Sequence, residues 1–335
     1  MKILLLVGSR EADAPIDSLS PATIKGTGTV YNFFLRREFA RMPDVEAASY
    51  RFSKIRDPDK AARFLAKYDP PAADHVICLE QRGFSASDAS IAEFFRRRVP
   101  GAVCAICDHD QVLGPEDYLF HVQFTRHHPP DPRSVQVTWA ASPEYCYPDK
   151  EKGVLNILVD HNNYSGEDRG DEIVDQLCAF ALGPFEAAKR AYGFDRIVIR
   201  QLVSGGVALI DPANPQRFAH YDRRGMPFPD VCREYRRADI FFVTKPESMG
   251  LSILECAMSG ALIVYPRGYA NSYLLEPLNH IVWDDRIDFD DVLAALDVEW
   301  SARRAAPFNW QHLAQLIVNR LRLHGLPSPG GRAAA

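Results

Sequence analysis

Two acidic residues eight positions apart, Glu247 and Glu255, frame the stretch of this sequence best equipped for chemistry. They lie in Thr244-Lys245-Pro246-Glu247-Ser248-Met249-Gly250-Leu251-Ser252-Ile253-Leu254-Glu255, which follows the apolar run Ile240 to Val243 and opens a helix that ends at Gly260. The unbonded N–H groups at a helix start, together with its dipole, suit a phosphate. Gly250 lets a ligand come close to the backbone. Glu255 stands about five residues into the helix, ~7 Å along its axis. That is too far along to cap the helix, but a carboxylate there can accept from a pair of hydroxyls, and Glu247 can grip a second polyol. Two carboxylates flanking a phosphate site suit a nucleotide-sugar. Spacing alone serves equally well a capping Glu247 and a surface ion pair at Glu255.

Three further loops follow apolar runs. Lys25-Gly26-Thr27-Gly28-Thr29 leads into the first long helix, and its glycines allow a tight turn with N–H groups facing a ligand. As an ordinary loop with a threonine cap it would also be unremarkable. After Leu155 to Val159 come His161, Asn162 and, further on, Arg169-Gly170; a solvated loop charge is the plain alternative for Arg169. Asp108-His109-Asp110 follows Ala102 to Cys107. A histidine there could polarise a hydroxyl or take a proton near neutral pH, although a turn capped by aspartate explains the same residues. Cys104-x-x-Cys107 lacks a second pair at zinc spacing and lies in an apolar run, so it reads as core strand.

These loops need a scaffold. Short apolar runs alternate with amphipathic stretches along nearly all 335 residues, the pattern of parallel sheets flanked by helices. Strands are expected at Ile3 to Val7, Val45 to Tyr50, His75 to Leu79, Ala102 to Cys107, Val135 to Trp139, Leu155 to Val159, Arg196 to Ile199, Val207 to Ile210, Ile240 to Val243 and Leu262 to Tyr265. The expected fold is α/β, with two Rossmann-like parallel-sheet domains facing across a cleft. The domains run over 1–140 and 154–307, joined by a charged linker at 141–153. One helix is expected at about 289–304, a helix at 308–325 crosses back to the first domain, and a Gly/Pro/Ala tail at 326–335 is disordered. Ligands of such sheets bind beyond the carboxyl ends of the strands.

Composition narrows the function. With 47% hydrophobic and 25% charged residues the chain is neither disordered nor fibrous. A net charge of −5 gives no global pull on nucleic acid. Ile3 to Val7 is far shorter than the roughly 20 residues of a membrane span, and it reads as a first strand rather than a signal peptide. Seven scattered cysteines, mostly in apolar runs, suggest buried thiols in a reducing compartment and a cytoplasmic protein. Arg96, Arg97 and Arg98 offer a contact with the inner face of a membrane, against a simpler solvated face.

The run Phe228-Pro229-Asp230 through Tyr235-Arg236-Arg237-Ala238-Asp239-Ile240-Phe241-Phe242, continuing into Glu247-x7-Glu255-x4-Gly260, resembles the donor-binding half of the GT-B glycosyltransferases, above all the retaining family 4. Phe308-Asn309-Trp310-Gln311-His312-Leu313-Ala314 is similar to the start of that family's last helix. The likeness covers about 225–325. It implies a hexosyltransferase-like enzyme that moves a sugar from a nucleotide-diphosphate donor to a glycan, lipid or small-molecule acceptor, with retention and without metal or other cofactor. It implies that Glu255 holds the ribose, that Glu247 holds the transferred sugar, and that the backbone of Met249, Gly250 and Leu251, beside Ser248, meets sugar and diphosphate. It also sets the Gly26-Thr27-Gly28 turn against the donor phosphate.

The sequence departs from the pattern in places. Lys245-Pro246 replaces the usual bulky pair, the loop is one residue shorter, and Ser248-Met249 stands where Gly-Phe is common. Arg169-Gly170 matches a Lys-Gly pair whose cation neutralises the leaving diphosphate. His161 and Asn162 stand where the family has an arginine, leaving Arg200 and Lys245 as substitutes. Asp108-x-Asp110 has the spacing of metal-dependent transferases, a reading that the two-half organisation opposes. A nucleotide-sugar epimerase using His109, or an inactive nucleotide-sugar-binding subunit, are the alternatives.

Overall fold

In the computed structural model the first apolar run forms strand β1 (Lys2–Val7), buried from Ile3 to Val7. The structure describes residues 1–8, 19–22, 24, 27–79, 83–106, 117, 119–121, 134–160, 169–203, 206–215, 226–244, 250–268 and 275–324. By chain contacts it divides into two compact units. One comprises Met1–Ser18, Tyr31–Val137 and Gln311–Ala335, and the other Leu19–Val30 and Thr138–Trp310.

In the first unit β1 is followed by α1 (Thr27–Ala40), β2 (Glu46–Arg51), α2 (Pro58–Leu65), β3 (His75–Cys78), α3 (Ala89–Arg96) and β4 (Val103–Ala105). The four strands form a parallel sheet in the order β2-β1-β3-β4. A separate parallel pair joins β5 (Phe120–His121) to β6 (Val135–Gln136). Asp57 and Asp88 cap α2 and α3 by accepting from Lys60 and Ser90 N–H groups. The buried face of α3 (Ile91, Ala92, Phe94, Phe95) packs over Leu4, Leu6, Val76 and Val103 of the sheet. Its basic residues are engaged locally: Arg96 with Asp117, Arg97 with Glu93, and Arg98 over the Phe94 ring at 3.5 Å.

The second unit centres on β7 (Val154–Asp160), all seven residues of which are buried, as a strand covered on both faces requires. It continues through α4 (Gly170–Leu182), α5 (Phe185–Tyr192), β8 (Arg196–Val203), β9 (Gly206–Ile210), α6 (Phe228–Arg237), β10 (Ile240–Val243), α7 (Leu251–Met258), β11 (Leu262–Pro266) and β12 (His280–Trp283). The helices α8 (Phe289–Ala294) and α9 (Val298–Ala305) follow, whereas α10 (Trp310–Leu323) belongs, from Gln311 on, to the first unit. The sheet order is β12-β11-β10-β7-β8-β9. Every neighbour is parallel except β9, which folds back on β8 as an antiparallel hairpin. No described helix is long and apolar enough to cross a membrane.

Three expectations shift. Strand β12 is absent from the sequence-based list because its burial is partial and it lacks a long apolar run. The stretch 289–304 is two helices rather than one. Asp288 accepts from the Asp290 and Asp291 N–H groups and Asp297 from that of Trp300, so each begins its own helix. Strand β8 runs four residues past Ile199, because its hairpin partner extends pairing to Val203 and Gly206.

Candidate functional site

The carboxyl ends of β7 and β10 lie side by side, with Val243 opposite Asp160. Thr244, wholly buried, donates its hydroxyl to the Asp160 carbonyl. The Thr244 carbonyl in turn accepts the Arg169 N–H at 2.7 Å. This short chain of bonds fixes the start of α4 against the end of β10. Arg169 is 26% exposed and held from two sides: its guanidinium carbon is over the Trp283 ring, 4.0 Å from the centroid, and Nε and Nη2 donate to the two Glu172 oxygens at 2.8 and 2.7 Å. Arg169 is thus a positioned cation at the carboxyl edge of the sheet, not a solvated loop charge. Asp160, Thr244 and Trp283 were not singled out in the sequence. Thr244 stood inside the acidic motif, whereas Trp283 belongs to the strand that the pattern hid.

Helix α7 opens at Gly250, whose φ of 66° and ψ of 36° lie in the left-handed region that favours glycine. No side chain caps this end. The first intrahelical bond runs from Leu254 N–H to the Gly250 carbonyl at 2.9 Å, and the earlier amides have no partner within the helix. All eight residues of α7 are buried, so it is a central helix with no solvent-facing side, and Ser252 and Glu255 are its buried polar residues.

Glu255 is 2% exposed, which removes the surface ion pair that spacing left open. A carboxylate oxygen of Glu255 lies with the Cys146 and Cys232 sulphurs, all within 4.8 Å of one another. The two sulphurs are 3.8 Å apart. Burial pushes the Cys232 thiol well above the ordinary thiol range, and the Cys146 thiol adds to that rise. Cys146 belongs to the turn after Ser142, and Cys232 faces it from α6, where Tyr145 meets Phe228 edge-on at 5.4 Å.

Arg200 stands in the middle of β8, not at its end as the sequence suggested, and makes other contacts. Its Nη1 donates to Asn156 Oδ1 at 2.5 Å, and its Nε lies 3.8 Å from Glu234. Burial lowers its pKa, with Glu234 opposing. Cys104 points its thiol at the Val76 carbonyl, 3.5 Å away, within the first sheet's core. Thr27 and Gly28 form the first turn of α1. Gly26, His109, His161, Asn162, Lys245, Glu247, Ser248 and Met249 lie outside the described residues. Among the described residues six cysteines are buried.

No protein-family model matches the chain, and no curated protein matches it in sequence. Solved structures do match in fold. Sucrose-phosphate synthase (tll1590) from Thermosynechococcus elongatus superposes with a TM-score of 0.55 at 12% identity, over 96% of this chain and 98% of that one. AviGT4, a glycosyltransferase involved in avilamycin A biosynthesis, gives 0.51 at 14% identity, over 96% and 97%. The architecture, two α/β units each built on a parallel-dominated sheet, is the GT-B glycosyltransferase fold.

Proposed function

We propose that this chain is a glycosyltransferase that takes its sugar from a nucleotide-diphosphate donor bound at the carboxyl edge of the second sheet. The observation that carries this reading is α7. It starts at a left-handed glycine beyond the end of β10, and it holds the second glutamate of the Glu247-x7-Glu255 pair in a buried position on a GT-B fold. In this reading Glu255 engages the ribose, Glu247 the transferred sugar, and the amides around Met249, Gly250 and Leu251 the diphosphate. Ser248, His161 and Asn162 line the donor, and Gly26-Thr27-Gly28 approaches its phosphate.

The reaction breaks the bond between the anomeric carbon and the diphosphate oxygen. An acceptor hydroxyl forms the new bond on the same face and passes its proton to the leaving phosphate. Charge then grows on that diphosphate, and Arg169, assisted by Lys245, offsets it without metal. His109 orients the acceptor hydroxyl. The protein's contribution is mainly position and electrostatics. The acceptor is a glycan, lipid or small molecule.

Thermal melting with UDP, GDP, ADP, TDP and CMP tests the donor site. One nucleotide is expected to raise the melting temperature in a concentration-dependent way. A melting temperature unmoved by all of them rejects the reading.

A further inference from the structure

Cys146, Cys232 and Glu255 come from three separate elements, the turn after Ser142, α6 and α7, and converge in the interior of one unit. Among the described residues this is the one group of three or more Cys, His, Asp or Glu side chains placed to share a metal ion. Its geometry is specific. Two thiolate sulphurs each about 2.3 Å from a zinc ion, at the tetrahedral angle, stand about 3.8 Å apart. The Cys146 and Cys232 sulphurs are 3.8 Å apart. A disulfide would need about 2 Å.

We infer that Cys146, Cys232 and one oxygen of Glu255 form a structural site for a thiophilic divalent cation of the zinc type. Two thiolates and a carboxylate select such an ion over magnesium or calcium, which prefer all-oxygen sets. Three protein ligands leave a fourth position for water. Ser142, at the start of this turn, accepts the Cys146 N–H on its carbonyl at 2.7 Å, and its buried Oγ has no hydrogen-bond partner among the described residues. The ligands carry three negative charges against two on the ion. Arg236, one helical turn after Cys232, supplies a further positive charge, and its Nη1 donates to the hydroxyl of Tyr147, the residue after Cys146, at 3.0 Å. The ion would tie the turn to α6 and α7. It binds a single carboxylate oxygen, which leaves the other for a ribose hydroxyl, and it takes no part in sugar transfer.

Full-length protein produced with zinc, desalted and digested for elemental analysis is expected to carry about one zinc ion per chain. The Cys146→Ser/Cys232→Ser double variant should carry none, and a strong chelator should lower the melting temperature of the native chain only. Cobalt(II) loaded into the native chain should show thiolate charge-transfer bands in the near ultraviolet and the intense visible bands of a tetrahedral ion. That measurement does not depend on whether the variant folds. Native protein without metal and without cobalt–thiolate bands, or zinc retained in the double variant, overturns the inference. A Cys146–Cys232 disulfide found by mass spectrometry overturns it as well. Metal content is read without nucleotide, so its failure leaves the donor reading untouched, and a failed nucleotide screen leaves the metal site untouched.

Discussion

Asp239 and Asn156 hold each other twice across neighbouring strands. The Asp239 carboxylate accepts the Asn156 main-chain N–H at 2.7 Å, and the Asp239 main-chain N–H donates to the Asn156 carbonyl at 2.8 Å. The pair closes the amino-terminal side of β7 and β10, on the opposite side of the sheet from Thr244 and Arg169. Lys150 joins it, donating to the Ala238 carbonyl beside Asp239.

Lys150 gives this corner a pH dependence. Burial lowers its pKa from 10.5 to about 8, with Asp239 opposing. Between those values the unfolded chain binds the extra proton, so stability rises with pH across that window. The contribution is full above pH 10.5 and is lost as pH falls through about 8. Asp239 works the other way. Burial raises its carboxyl above 3.8, so the folded state holds the proton longer, and this contribution is lost as pH climbs through the raised value. Urea unfolding near pH 7 and pH 9.5 should show Lys150→Met narrowing the difference between the two by on the order of 1 kcal/mol. An unchanged difference would refute the assignment to Lys150.

Gly260 ends α7 with φ at +85°, and a Cβ there would lie 2.7 Å from Val298 Cγ1 and 3.0 Å from the Val298 carbonyl oxygen. Gly260→Ala therefore carries both backbone strain and a clash with α9. Calorimetry is expected to show a loss of about 2 kcal/mol or more. Adding Val298→Ala should return only part of it, since the left-handed φ and the carbonyl contact remain.

How far the sequence disclosed this protein follows from how locally each feature is encoded. β1, β7 and β10 were plain because they are continuous apolar runs, and α7 because an apolar stretch ends at Gly260. β12 was hidden because only Trp283 of its four residues is fully buried. Arg200 was misplaced because the extent of β8 depends on its hairpin partner, a non-local pairing. The grouping of Cys146, Cys232 and Glu255 spans more than 100 residues of chain, and no local pattern encodes it.

Arg200 was expected among the donor-binding cations, yet its guanidinium is committed to Asn156 and Glu234. Arg200→Met should lower stability by about 1–3 kcal/mol, because it removes a charge-assisted bond inside the unit. The melting shift produced by the preferred nucleotide should persist. Loss of that shift in a folded variant would return Arg200 to the donor site.

The two glutamates should separate in kinetics. Glu255→Ala is expected to abolish stabilisation by the preferred nucleotide, since it removes the proposed ribose contact. Glu247→Ala should lower kcat by about 100-fold while nucleotide affinity stays within a few-fold, because its proposed partner is the reacting sugar. Titration calorimetry with the nucleotide and steady-state rates with the matching donor give the two readouts. Full activity in both variants would reject the assignment.

Arg169 offers the sharpest test of the diphosphate site, because its geometry predicts a selective defect. The guanidinium lies over Trp283 and is forked onto Glu172, so its position is fixed before any ligand arrives, while part of its charge is already answered. Arg169→Ala is expected to weaken nucleoside diphosphate binding by about 10-fold and to leave nucleoside binding nearly unchanged. Arg169→Lys should not restore it, since an ammonium can neither fork onto a carboxylate nor lie flat on an indole. Glu172→Gln should act in the opposite sense, tightening diphosphate binding by freeing the arginine's charge while Trp283 still supports the ring-facing side. Equal losses for diphosphate and nucleoside in Arg169→Ala would mean that the side chain only braces α4 against Trp283, and the cation that meets the leaving group would then have to be sought at Lys245.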